Sequence, residues 1–275
     1  MLKRTIAEWV TVSKISKDTG HLFFEGSSDA SILAHLFGYP QNIDFRTASE
    51  IDDDDLGSSS LWGGYKFRLI NLARAADGFG NLRCLIDADF SVFIEYMEQF
   101  SNLMTTGCSN LPATTFNYEW LKGFLAKAYG LILDMDGWSF ICSVLRFAFV
   151  ARYVAARIEH TVSAPDLSNF ISSRKGYKFD KSAYITRYFP GSQPSRATRC
   201  AEIQEICDWV SIDITYTCNS NDIFAIIYSI LRGTSKISGS TPRDAIKQAY
   251  FGAIDDKLLR QGNLKLVGDW IASMG

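Results

Sequence analysis

Leu22-Phe23-Phe24-Glu25-Gly26-Ser27-Ser28-Asp29 is the stretch that decides the fold, and it has a counterpart downstream in Leu85-Ile86-Asp87-Ala88-Asp89-Phe90. Each reads as an apolar strand that delivers carboxylates at its C-terminal end, and the first then turns through Gly26 into a helix. In a parallel sheet the C-terminal ends of the strands form one rim, and sites are built on that rim. A Glu and an Asp-x-Asp pair on it are three hard oxygen ligands, which suit Mg²⁺ or Mn²⁺.

Outward from these stretches the chain alternates. Residues 1–19 read as a lead-in and 22–24 as the first strand, with Ser28 or Asp29 placed to cap a helix through Ile32, Leu33, Leu36 and Phe37. A second strand is predicted at 43–48. Glu50 to Asp55 is an acidic run, read as a solvated loop. Tyr65 to Ala76 follows as a helix with Phe67, Ile70, Leu72 and Ala73 near one face, and Leu82 to Ile86 is the strand that carries Asp87 and Asp89. Strand, helix, strand, helix, strand is the pattern of an α/β parallel sheet with right-handed crossovers. A helix-like stretch follows Asp89, and Trp120 to His160 is apolar and helical. Ala201 to Val210 and Ile223 to Leu231 are further helices, the latter with Asp222 as its cap. Pro242 opens a final helix pair that contains Trp270.

Composition removes several classes. The chain has 275 residues, 47% hydrophobic and 21% charged, which is ordinary for a globular protein. A net charge of -2 means that any nucleic-acid contact must come from a local basic patch or a metal. The N-terminus lacks the apolar core of a signal peptide, and the apolar segment from Phe140 to Ala156 is broken by Arg146 and Arg152, so a buried helix is expected there rather than a membrane span. The six cysteines show no Cys-x-x-Cys pair and read as reduced core residues of a cytoplasmic protein. Phosphate-loop, nucleophile-elbow, His-Glu-x-x-His and dinucleotide motifs do not occur.

Between Ser172 and Arg199 basic residues face a single acid, Asp180, and Tyr177, Phe179, Tyr184, Tyr188 and Phe189 are interleaved with them. Such a mixture suits a backbone track with stacking platforms for single-stranded nucleic acid. It equally suits a surface segment anchored by its aromatics. Arg174, Lys175, Lys178, Lys181 and Arg187 are the candidate nucleic-acid contacts.

Glu25-Gly26-x-x-Asp29 after a strand, followed by Asp87-x-Asp89 after a later one, resembles the Toprim fold of topoisomerases, primases and OLD-type nucleases. Along most of its length the chain resembles the small stand-alone Toprim effector nucleases of bacterial anti-phage systems, of the PARIS type. The resemblance implies a Toprim-like, mostly parallel sheet flanked by helices, with a helical insertion and a C-terminal helical extension. The implied division is a core at 1–118, an insertion at 119–171, the basic aromatic segment at 172–200 and a C-terminal part at 201–275 that completes the core. Glu25, Asp87 and Asp89 would be catalytic and hold Mg²⁺ or Mn²⁺, with Glu119 assisting a second ion. The implied activity is phosphodiester cleavage of RNA, tRNA in particular, by a toxic effector. A separate ATPase would control it and a homodimer would be the active form, with no membrane involved.

Two positions depart from the family pattern. Thr115 stands where an Asp is often found, and of a Gly-His-Asp triplet only Asp222 is present. They motivate the alternative of an inactive Toprim-fold interaction protein. A DNA-directed nuclease is a further alternative. A structural reading competes at each acid. Glu25 could accept from N–H groups at the helix start, and Asp87 could cap a turn. A second Asp-x-Asp, at Asp134 and Asp136, reads as a helix end with a turn.

Overall fold

The computed structural model describes residues 3–52, 64–88, 100–106, 110–158, 160, 162–174, 176–191, 195–209, 213–254 and 262–275. The chain divides into two compact units, 1–111 with 255–275, and 112–254. This division departs from the one inferred from the resemblance. The core closes at Leu111 rather than 118, and what returns to complete it is the last stretch of chain rather than everything after 200.

The first unit begins with a helix, α1 (Ile6–Ile15), where only a lead-in was expected. Thr5 and Glu8 form a capping box at its start, and Trp9 is 1% exposed. Four parallel strands follow: β1 (Gly20–Phe24), β2 (Ile43–Thr47), β3 (Leu82–Ile86) and β4 (Leu103–Thr105), in the spatial order β2-β1-β3-β4. The segment before Leu111 therefore contributes a strand at 103–105, and the helix-like stretch expected after Asp89 lies mostly outside the described residues. Helix α2 (Ser27–Leu36) connects β1 to β2, and α3 (Gly64–Ala75) leads from β2 to β3. Every residue of β1 is buried, as a central strand covered on both faces must be.

Alternation along the strands sends side chains into two cores. Phe23, Leu82, Cys84 and Ile86 pack with Trp9 of α1 and with Leu69, Leu72 and Ala73 of α3. On the other face Leu22, Phe24 and Leu85 pack with Leu33 of α2 and with Leu264, Val267 and Trp270 of the last helix, α10 (Gly262–Ser273). Opposite placement of α2 and α3 is the doubly wound arrangement that right-handed crossovers produce when the chain turns from one side of β1 to the other.

The second unit is mostly helical: α4 (Tyr118–Tyr129), α5 (Met135–Arg157), α6 (Lys181–Tyr188), α7 (Arg196–Trp209), α8 (Ser220–Gly233) and α9 (Arg243–Gly252), with a two-stranded antiparallel ribbon of β5 (Ile171–Ser172) and β6 (Lys178–Phe179). Helix α5 is long and apolar enough to cross a bilayer, but it is the core helix of this unit, with Ile141, Val144, Leu145, Phe147, Ala148 and Val150 among its buried residues. Arg152, which interrupts its apolar run, is ion-paired with Asp222 of α8. Asp222 is thus a buried partner, not the expected cap, and Asn219 caps α8 instead. Asp134 caps α5, accepting from Gly137 N–H at 2.8 Å, so the second Asp-x-Asp opens a helix rather than ending one. Five cysteines are free thiols among the described residues, and burial pushes the Cys84, Cys142 and Cys207 thiols up, the last to about 11.

Candidate metal centre at the sheet rim

Glu25 follows β1 and Asp87 follows β3, and these two strands are neighbours, with Phe24 level with Leu85. The strand order places the reversal of chain direction between them, because β2 lies to one side of β1, and β3 and β4 lie to the other. That crevice, beyond the carboxyl ends of the strands, is where open α/β sheets bind ligands. Glu25 and Asp87 are joined directly: Glu25 Oε1 accepts from Asp87 N–H at 2.9 Å, across 62 residues of chain.

A small pocket opens at this point, lined by Glu25, Asp29 and Asp87 together with Phe24, Leu33, Leu85, Thr106 and Leu111. Its volume is about 10 Å³, room for roughly one water-sized occupant. Asp29 reaches it from the first turn of α2. The N-cap of that helix is Gly26, in extended backbone, and not Ser28 or Asp29 as expected. An acid in the first turn remains favourable against the helix dipole.

Lys66 is the residue that sequence reasoning missed. It is 1% exposed, its ammonium lies 3.7 Å from Glu25 Oε1, and it donates to the Asp87 main-chain carbonyl. A buried ammonium requires such partners, because removing it from water is costly. The signal was present in the sequence. On α3 the buried face runs through 66, 69, 72 and 73, with Ile70 packed against it and Phe67 only half-buried, and a lysine in line with an apolar stripe needs an acid to meet it.

The other expected site residues fall elsewhere. Asp89, the second acid of the motif, and Lys175 lie outside the described residues, as do Asp53 to Asp55 of the acidic run. Glu50, from the same run, is buried and paired with Arg46 at 3.2 Å, so it is a structural acid. Glu119 is exposed in the first turn of α4, in the second unit. Thr115 has a structural role of its own: it is buried, and its hydroxyl meets Tyr250 Oη at 2.7 Å.

The basic aromatic segment resolves into the β5–β6 ribbon and α6. Tyr184, Tyr188 and Phe189 are buried, Tyr177 stacks on Phe140 with ring centroids 5.3 Å apart, and Phe179 meets Phe147 edge-on. These rings are anchors in the helical core and are not presented as stacking platforms. Arg174, Lys178 and Arg187 are exposed, whereas Lys181 bonds Gln204 at 2.6 Å and sits over the Phe147 ring.

The donor chemistry of the rim fits a hard divalent cation, since every side chain that could ligate in the pocket is a carboxylate or a hydroxyl. Among the described residues, no three His, Cys, Asp or Glu side chains are drawn together tightly enough to enclose a metal as they stand. Lys66 supplies positive charge beside Glu25 in this arrangement. No family model matches the chain, and no relative is found among curated proteins.

Proposed function

We propose that the rim is a divalent-cation site and that the protein is a metal-dependent nuclease of Toprim type. The observation that carries this reading is the meeting of Glu25 and Asp87 at the crevice between β1 and β3, with Asp29 lining the same pocket. Glu25 and Asp87, with Asp89 next along the chain, would hold Mg²⁺ or Mn²⁺. Bound there, the ion supplies the positive charge that polarises a phosphodiester and offsets the charge developing on its leaving oxygen.

The chain's own groups do the rest. The N-terminus of α2 begins beside Glu25 and offers main-chain N–H groups and the positive end of a helix dipole, a favourable place for a phosphate. Lys66 holds Glu25 and the Asp87 main chain at a fixed spacing, so the two carboxylates meet a ligand preorganised. The finer reading rests on the family resemblance alone: RNA as substrate, tRNA in particular, with Glu119 at a second ion, a controlling ATPase, a homodimeric active form, and a role as toxic effector in anti-phage defence.

The test is cleavage of radiolabelled tRNA and of single-stranded DNA by the purified chain with Mg²⁺ or Mn²⁺, beside Glu25→Gln and Asp87→Asn. Metal-dependent cleavage lost in both variants supports the proposal, and the preferred substrate separates an RNA from a DNA enzyme. Cleavage undiminished in both variants would remove the rim from the chemistry. A second reading, a Toprim-like scaffold that binds no metal and serves as an interaction protein, is favoured by one observation: the Lys66 ammonium already stands beside Glu25 as an internal counter-charge.

A further inference from the structure

A second polar cavity lies wholly within the helical unit, between the β5–β6 ribbon and the C-terminal end of α8. Its volume is about 140 Å³, and its lining includes Ser168, Ser172, Ser173, Arg174, Tyr228 and Arg232. Arg174 comes from the connection between β5 and β6 and Arg232 from the last turn of α8, and both are exposed. Neither guanidinium has an acidic partner within 4 Å among the described residues. The nearby acid, Asp166, is taken by Arg243 at 2.6 Å, and Arg243 also bonds the Ser168 hydroxyl at 2.9 Å.

The cavity lacks what a cation would need. A helix C-terminus ordinarily presents free carbonyls, but here those of Ile230, Leu231 and Arg232 each take a hydrogen bond, and that of Ser229 takes one from a side chain. Ser173 Oγ donates to Ser229 O at 2.9 Å, Thr234 N–H to Ile230 O at 3.0 Å, Lys236 N–H to Leu231 O at 2.9 Å and Ser235 N–H to Arg232 O at 3.2 Å. What remains to face a ligand is two guanidiniums and hydroxyls. Gly233 holds this geometry, because a Cβ there would lie 1.9 Å from Ser173 Oγ and would push the ribbon off the helix end.

We propose that this cavity binds a phosphate monoester, seated between Arg174 and Arg232 and hydrogen-bonded by the Ser172 hydroxyl. Guanidinium forks match phosphate oxygens in bidentate geometry. Two of them balance the charge of a monoester, about -1.5 to -2 near pH 7, better than the single charge of a diester. The volume, below the roughly 300–1,000 Å³ of sites that enclose whole drug-sized ligands, admits the phosphate group and leaves the rest of its carrier outside. The carrier is then a mononucleotide or the phosphorylated end of a nucleic-acid strand. The inference does not depend on the carboxylate rim.

Calorimetric titration of the full chain with inorganic phosphate, without divalent metal and against chloride at equal ionic strength, tests it. Phosphate binds the wild type, Arg174→Gln and Arg232→Gln each weaken it about tenfold or more, and Lys127→Gln on α4 leaves it unchanged. Both arginines are exposed, so the variants keep the wild-type thermal midpoint. AMP and a pair of oligonucleotides of one sequence, with 5′-phosphate or 5′-hydroxyl, then distinguish the carriers. Preference for the phosphorylated strand identifies a strand end, and binding of phosphate and AMP with no such preference identifies a mononucleotide. Phosphate that binds no better than chloride, or that binds both arginine variants as it binds the wild type, overturns the proposal.

Discussion

Each unit buries a cation against a carboxylate, and the two pairs differ in what surrounds them. In the helical unit Arg152 and Asp222 join α5 to α8, with side chains 17% and 12% exposed, and the neighbouring polar groups are the hydroxyls of Tyr184 and Tyr188. Burial pulls the Arg152 pKa down, but the adjacent Asp222 outweighs it and the net shift is upward. In the sheet unit Lys66 is 1% exposed while Glu25 keeps 23%, and Glu25 opens onto a pocket that two further aspartates line. One pair ties helices together. The other stands at the crevice of a parallel sheet, beside a pocket that three carboxylates line. A buried ion pair is therefore not a site in itself; further carboxylates beside an opening are what distinguish the second from the first.

The sharpest break of that comparison is at Asp222. Asp222→Ala leaves Arg152 buried without its carboxylate and should destabilise the protein by about 3–5 kcal/mol, read from urea unfolding. Mg²⁺ should not change this loss. A cost below about 1 kcal/mol would show that the pair is hydrated and that the contrast with the rim is wrongly drawn.

At the rim the expected costs are smaller, because Glu25 is partly in water. Glu25→Ala removes the carboxylate beside the Lys66 ammonium and should cost about 2–3 kcal/mol, whereas Glu25→Gln, which keeps an oxygen acceptor, should cost about 1 kcal/mol. The double variant Glu25→Ala/Lys66→Met should recover a large part of the loss. Additive losses in the double variant would mean that the two side chains do not act as a pair.

A third expectation concerns Thr115 and Tyr250, whose hydroxyls meet inside the helical unit. Tyr250→Phe should cost about 1 kcal/mol in urea unfolding, the worth of one buried hydrogen bond. Thr115→Asp should cost more, since it buries a charge. If Thr115→Asp were neutral, the position would be open to a ligand after all.

The smallest effect is a pH dependence at the far end of β1 from Glu25. His21 is buried, and burial lowers its pKa below 6.5, opposed by Asp44 at 3.5 Å. A base with a depressed folded pKa binds its proton more readily in the unfolded chain. Stability is thus fully present above about 6.5 and is lost as pH falls from there toward the folded value. Urea midpoints between pH 7.5 and 5.5 should fall in the wild type and fall less in His21→Asn. Equal slopes would place the pH dependence on other groups.

The rim was legible in the sequence because a strand end is a local feature. Apolar runs that stop at Glu25 and at Asp87 need no knowledge of distant contacts, and alternation of strands and helices is enough to bring such ends to one side of a sheet. Helix α1 has a local signal too, the Thr5-x-x-Glu8 capping box ahead of Trp9, within the stretch that reads only as a lead-in by composition. Lys66 was harder, since its meaning depends on which face of α3 is buried. The basic aromatic stretch left two readings open for the opposite reason. Its composition is the same whether Tyr184 and Tyr188 stack on bases or pack inside, and only the packing of α5 against α6 and α7 decides between them. The unit boundary at 111/112 was hidden because it falls in a run with no composition shift, Leu111-Pro112-Ala113.

Calorimetric titration of Mn²⁺ into the full chain tests the central claim most directly. Saturable binding by the wild type is expected, lost in Glu25→Gln and in Asp87→Asn but retained in Asp136→Asn, which alters the Asp-x-Asp at the start of α5. Absence of binding by the wild type, or binding that survives both rim variants, would contradict it.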